Sequence, residues 1–101
     1  MTSIRNIIWR SAASLYLEKA IDFIRKDSDK NADIVAKAIL NTIEKAAKFP
    51  EHFPPDKYKT NNAYHSFRAF EIYSFRVSYY YNDEILRIVR IRHTRQKPLT
   101  Y

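Results

Sequence analysis

Several side chains near the end of this 101-residue chain have the types and spacing for phosphodiester chemistry: Arg76, His93, Arg95 and Tyr101, with Glu71 five residues ahead of the first. Cutting RNA without a metal requires one group to take the proton of the attacking 2′-hydroxyl and another to protonate the leaving 5′ oxygen. Cations must also stabilise the charge gathering on phosphorus. His93 or Glu71 could be the base, and Tyr101 or His93 the acid, with Tyr101 alternatively a stacking platform. Arg76, Arg92 and Arg95 could stabilise charge. Plainer uses exist for each: a strand-end histidine can be structural, and a terminal tyrosine can be frayed. His52 and His65 show no ligand-like spacing to carboxylates, so neither a metal site nor a cofactor is expected.

These residues sit in a stretch made for strands. Residues 67–101 are dense in β-branched and aromatic types. After Glu84 this stretch holds Arg87, Arg90, Arg92, Arg95 and Lys97 and no acid, so five of the chain's formal charge of +7 lie at one end. Residues 1–50 carry nine basic and six acidic groups, a far more even balance. Such a concentration suits a polyanionic or acidic partner. Arg68, Arg90, Arg92 and Lys97, with Lys57 and Lys59 upstream, are the candidate nucleic-acid contacts.

The length suits a single domain spanning 1–101. No apolar run is long enough to cross a bilayer or to form a signal-peptide core, so no membrane partner is expected and a cytoplasmic location is the simplest reading. With no cysteine there is neither a disulfide framework nor a thiolate metal site, and with no glycine the Gly-rich phosphate loops are excluded.

The elements that must position the site follow from periodicity. Ile4–Trp9 reads as a first strand. From Ser11, a candidate cap, Ala13, Leu17, Ala20 or Ile21, and Ile24 recur at helical spacing to about Lys26. A second helix is expected from about Lys30 to Lys48, with Val35, Ala38 or Ile39, Thr42 or Ile43, and Ala46 inward. Asp33 with Lys37 and Glu44 with Lys48 are acid-before-base pairs at i,i+4. Pro50 ends this helix. Glu51–Tyr64 reads as a long surface loop. Three strands are then expected, at Phe67–Ile72, Phe75–Tyr81 and Ile85–His93, joined by a weak turn at Tyr73-Ser74 and a good one at Asn82-Asp83.

The result is an α+β fold of order β-α-α-β-β-β: an antiparallel sheet with a helical hairpin on one face and the other face open. Alternation sends Phe75, Val77, Tyr79 and Tyr81 to the helices, and Arg76 to the open face, where it should matter little to the core. The register of the last strand has two solutions. A two-residue loop faces Val89, Ile91 and His93 toward Arg76, and a loop one residue longer faces Arg90 and Arg92 there. Burying arginine is costly, which favours the second.

The sequence SFRVSY, followed by a strand ending in VRIRHTRQKPLTY, resembles the RelE/ParE superfamily of bacterial type II toxin–antitoxin toxins. The likeness covers nearly the whole chain and implies the same fold. It also implies a cognate acidic antitoxin, laid here across the basic open face in a toxin–antitoxin hetero-oligomer. RelE-like members are metal-independent endonucleases cutting mRNA on the ribosome, and ParE-like members inhibit DNA gyrase. Arg76 and Arg95 resemble phosphate-contacting arginines of the RelE side, Tyr101 its C-terminal tyrosine, and His93 the strand-end histidine of other nuclease members. RelE itself carries a lysine pair in the strand before Arg76, where this chain has FRAFEI, with Arg68 and Glu71. The resemblance thus points to an mRNA endonuclease, with gyrase inhibition as the alternative.

Overall fold

The computed structural model describes residues 4–101. Its elements are β1 (Asn6–Trp9), α1 (Ser11–Asp27), α2 (Asp29–Lys48), a turn of 3-10 helix at Pro50–His52, β2 (Phe67–Ile72), β3 (Phe75–Tyr81) and β4 (Ile85–His93). They form a four-stranded sheet of order β1-β4-β3-β2. The last three strands make the expected antiparallel meander, and β1 joins it parallel to β4. β1 starts two residues later than expected because the Arg5 N–H turns away to the Ala47 carbonyl at the end of α2.

The two helices are amphipathic and cover one face. Ala13 and Ile21 of α1, with Ala32, Ile39, Ile43, Ala46 and Ala47 of α2, are buried. Most of them meet Phe70, Phe75, Val77, Tyr79, Leu86, Ile88 and Ile91 of the sheet in one apolar core. Tyr79 lies wholly within it and keeps its hydroxyl satisfied by donating to the Pro50 carbonyl at 2.6 Å, as a buried phenol requires.

Three helix details differ from expectation. Ser11 does not cap α1, because it is already helical and Arg10 occupies the cap position. Only Ser28 separates the helices, shorter than the expected link. Its N–H bonds to Ile24 at the end of α1, and its Oγ accepts the Asn31 N–H at 3.1 Å to cap α2. The ion pairs found on the helices are not the expected ones within α2. Arg25 reaches instead across the junction to Asp29 at 3.6 Å and Asp33 at 3.1 Å, where the near-absence of a loop brings the two helix ends together.

The Tyr73-Ser74 turn is tighter than its composition suggests. Both residues are left-handed, with φ of 47° and 66°, the backbone of a two-residue hairpin loop that glycine or asparagine usually fills. At the other hairpin, the Asn82 side chain accepts the N–H groups of Glu84 and Ile85.

The far half of β4 takes the favoured facing, with Arg90 and Arg92 on the side of Arg76, and the half near the turn departs from it. Near the turn Tyr81 pairs with Leu86 and Tyr79 with Ile88, but beyond an irregularity Ser78 pairs with Arg90 and Arg76 with Arg92. Val89 is the extra residue of a β-bulge, which reverses the facing of every residue after it. Leu86 and Ile88 therefore point to the helices and so does Ile91, while Arg87, Arg90 and Arg92 all reach the open face. A regular strand would have buried two arginines or exposed two large aliphatics. One unpaired residue is the smaller cost.

Candidate functional site

Three cross-strand rows pave the open face: Phe67–Tyr80–Arg87, Ala69–Ser78–Arg90 and Glu71–Arg76–Arg92. The middle row is small, and the chain fills the depression it leaves. The loop before β2 folds in along that strand, with the Asp56 N–H donating to the Phe67 carbonyl and the Ala69 N–H donating to Pro54. This carries Asp56 above the middle row, where it is 2% exposed. From the other side the C-terminal segment folds back. The Tyr101 N–H donates to the Tyr58 carbonyl at 2.9 Å, and the Thr60 N–H donates to the Tyr101 main-chain oxygen at 2.6 Å.

The result is a polar hub around the Asp56 carboxylate. Arg76 Nη2 donates to Oδ1 at 2.8 Å, the Tyr58 N–H donates to the same oxygen at 3.0 Å, and the Tyr101 hydroxyl donates to Oδ2 at 2.6 Å. Burial pushes the Asp56 carboxyl upward, but the bonds from Tyr101, Arg76, Tyr58 and Ser78 outweigh it and hold the group below its usual range. Burial, reinforced by the adjacent carboxylate, pushes the Tyr101 phenol well above its ordinary value. Arg76 gives a second bond, from Nη1 to Glu71 at 2.9 Å, and its guanidinium lies 4.8 Å from the centre of the Tyr58 ring.

Arg76 therefore does face the open side, as alternation requires, but it is not a free cation with little structural role. It is the counter-charge of a buried carboxylate. Asp56 was the residue sequence reasoning missed. Its signal was an acid directly after Pro54-Pro55 in a segment otherwise rich in lysine.

Arg76, Glu71, Tyr101, Arg90, Arg92 and His93 line a common cleft of about 110 Å³, with Asp56 in its wall. Within it the Nε groups of Arg76 and Arg92 are buried without a partner. Arg90 donates to the Leu99 carbonyl at 2.8 Å. Burial, and next the repulsion of Arg92, lower its pKa.

His93 reaches the cleft only at its rim. It is the partner of Phe75, on the helix side, and its ring packs edge-on to that phenylalanine at 5.4 Å. Its Nδ1 accepts the Arg95 N–H, and its own N–H is held by Tyr16 and Gln96. Arg95 and Lys97 lie exposed in the tail outside the cleft. Lys59 is beside the site, its Nζ donating to the Tyr101 main-chain oxygen at 3.3 Å, whereas Lys57 packs over Tyr58 at the exposed edge. Arg68 sits on the opposite side of β2, where it pins the loop through the Phe53 and His65 carbonyls. Among the described residues no three histidines or carboxylates are grouped closely enough to hold a metal ion.

A family model described as the ParE toxin of the type II toxin–antitoxin system, parDE, matches residues 7–98. No curated protein gives a significant match. No helix among the described residues is long and apolar enough to cross a membrane.

Proposed function

As the chain belongs to the ParE toxin family of type II toxin–antitoxin systems, we propose that its toxicity comes from inhibiting DNA gyrase, without RNA cleavage. Its family implies a cognate antitoxin as partner. What carries the gyrase reading is the hub around Asp56. Two of the groups that RNA cleavage would need are already engaged by it: the Arg76 charge is met by two carboxylates, and the Tyr101 proton is held by one. General acid catalysis needs a group that exchanges its proton near neutral pH, and the Tyr101 phenol is shifted away from that range. A surface that binds and traps another protein needs neither a free phenol nor an uncompensated arginine.

The second reading, an endonuclease acting on ribosome-bound mRNA, is favoured by one observation. Arg76, Arg92, Glu71, His93 and Tyr101 do share a cleft. The two are separated by giving purified toxin to a gyrase supercoiling assay and to a translating extract. Gyrase inhibition with accumulation of cleaved DNA and intact message is expected. Transcripts ending in 2′,3′-cyclic phosphate, with supercoiling unaffected, would reverse the assignment.

A further inference from the structure

The row at the far end of the open face, Phe67–Tyr80–Arg87, takes no part in the hub. The Phe67 and Tyr80 rings lie 5.1 Å apart, and the Tyr101 ring continues this aromatic surface, edge-on to Phe67 at 6.4 Å. A cation attends each ring. Arg87 is 5.7 Å from the centre of Tyr80, Lys59 is 4.7 Å from Phe67, and Arg90 is 5.1 Å from Tyr101. Among the described residues none of these three cations forms a salt bridge; both acids of this face, Asp56 and Glu71, are bonded to Arg76.

The geometry points to this patch as a platform for single-stranded nucleic acid. Rings on a sheet surface offer stacking to bases whose faces are free, and interleaved cations meet the phosphates between them. A duplex keeps its base faces hidden and could use only the charges. An acidic peptide would likewise leave the rings idle. On the helical side six acids (Glu18, Asp22, Asp27, Asp29, Asp33 and Glu44) are nearly balanced by seven basic residues, so a polyanion is attracted less there than to the sheet face. DNA and RNA single strands share the chemistry that the patch reads. Binding requires neither gyrase nor the ribosome, so its failure would leave the gyrase proposal standing.

The test is fluorescence anisotropy of the full chain with labelled single strands of about 16 nucleotides, as DNA and as RNA, beside a duplex of the same sequence. Single strands should bind more tightly than duplex. With three phosphate contacts, log K should fall against log salt with a slope of about −2. Arg87→Gln should reduce that slope by about 0.7. Tyr80→Leu keeps an apolar side chain but removes the ring, and should weaken single-strand binding about fivefold or more with the slope unchanged. Lys37→Gln, on the exposed side of α2, should change neither. Equal DNA and RNA affinities would assign recognition to bases and phosphates, and tighter RNA binding would add contacts to the 2′-hydroxyl; both support the platform. Duplex bound as tightly as single strand, Tyr80→Leu without effect while its melting is unchanged, or a poly-glutamate peptide bound with the same affinity would overturn it.

Discussion

The two faces of the sheet are built from the same strands and held by different physics. On the helix side, Val77, Tyr79, Leu86 and Ile88 contact Ile39, Ile43 and Ala46 in a layer where shape is nearly everything. On the other side, Asp56, Arg76, Ser78 and Tyr101 make a thin polar layer in which every member depends on its partners. An apolar contact can be weakened by degrees. A buried carboxylate that loses its cation is left as an uncompensated charge, so the polar face should fail abruptly where the apolar face fails gradually.

The largest effect should come from Arg76→Ala, which strands Asp56. A loss of about 3–5 kcal/mol in urea unfolding is expected, and replacing Asp56 with leucine in the same chain should recover much of it. A single variant as stable as the parent would erase the contrast between the faces. Acid should act on the same hub in the unmodified protein. Because the folded Asp56 is depressed below its unfolded value, its contribution is fully present above the ordinary carboxylate range. It is lost as pH falls through the folded value. Melting temperatures followed from pH 7 downward should therefore drop more steeply in the parent than in an Asp56→Leu, Arg76→Ala double variant.

Tyr101→Phe removes one hydrogen bond to a charged group and keeps the ring, so about 1.5–3 kcal/mol should be lost. Growth assays with this variant also sharpen the functional reading. Toxicity retained at a temperature where the protein is folded fits gyrase inhibition, and toxicity abolished would put Tyr101 back among catalytic groups. On the apolar face, Ile39→Val removes one buried methylene and should cost about 0.5–1.5 kcal/mol. Lys37→Gln, on the exposed side of α2, should stay within about 0.5 kcal/mol; a larger loss would mean that helix charges matter more than their exposure implies.

The limits of the last three strands, the facing of β3 and the two amphipathic helices were legible because each follows from local periodicity. Phe67–Ile72, Phe75–Tyr81 and Ile85–His93 fall where composition places them. The cationic character of the open face was legible too, once burial of arginine was weighed against burial of isoleucine. Tertiary structure decided the rest. The bulge at Val89 cannot be read from β4 alone, because it reconciles Leu86 and Ile88 with Ile91 on a shared face, which only pairing with β3 imposes. Asp56 and Tyr101 lie 45 residues apart, and no local pattern links an acid in a loop with a phenol at the far end of the chain. Their meeting depends on the gap over Ala69 and Ser78, two small side chains on neighbouring strands. That gap exists only after the sheet has formed, and it turns a row of candidate catalytic residues into a buried ion pair and its tyrosine.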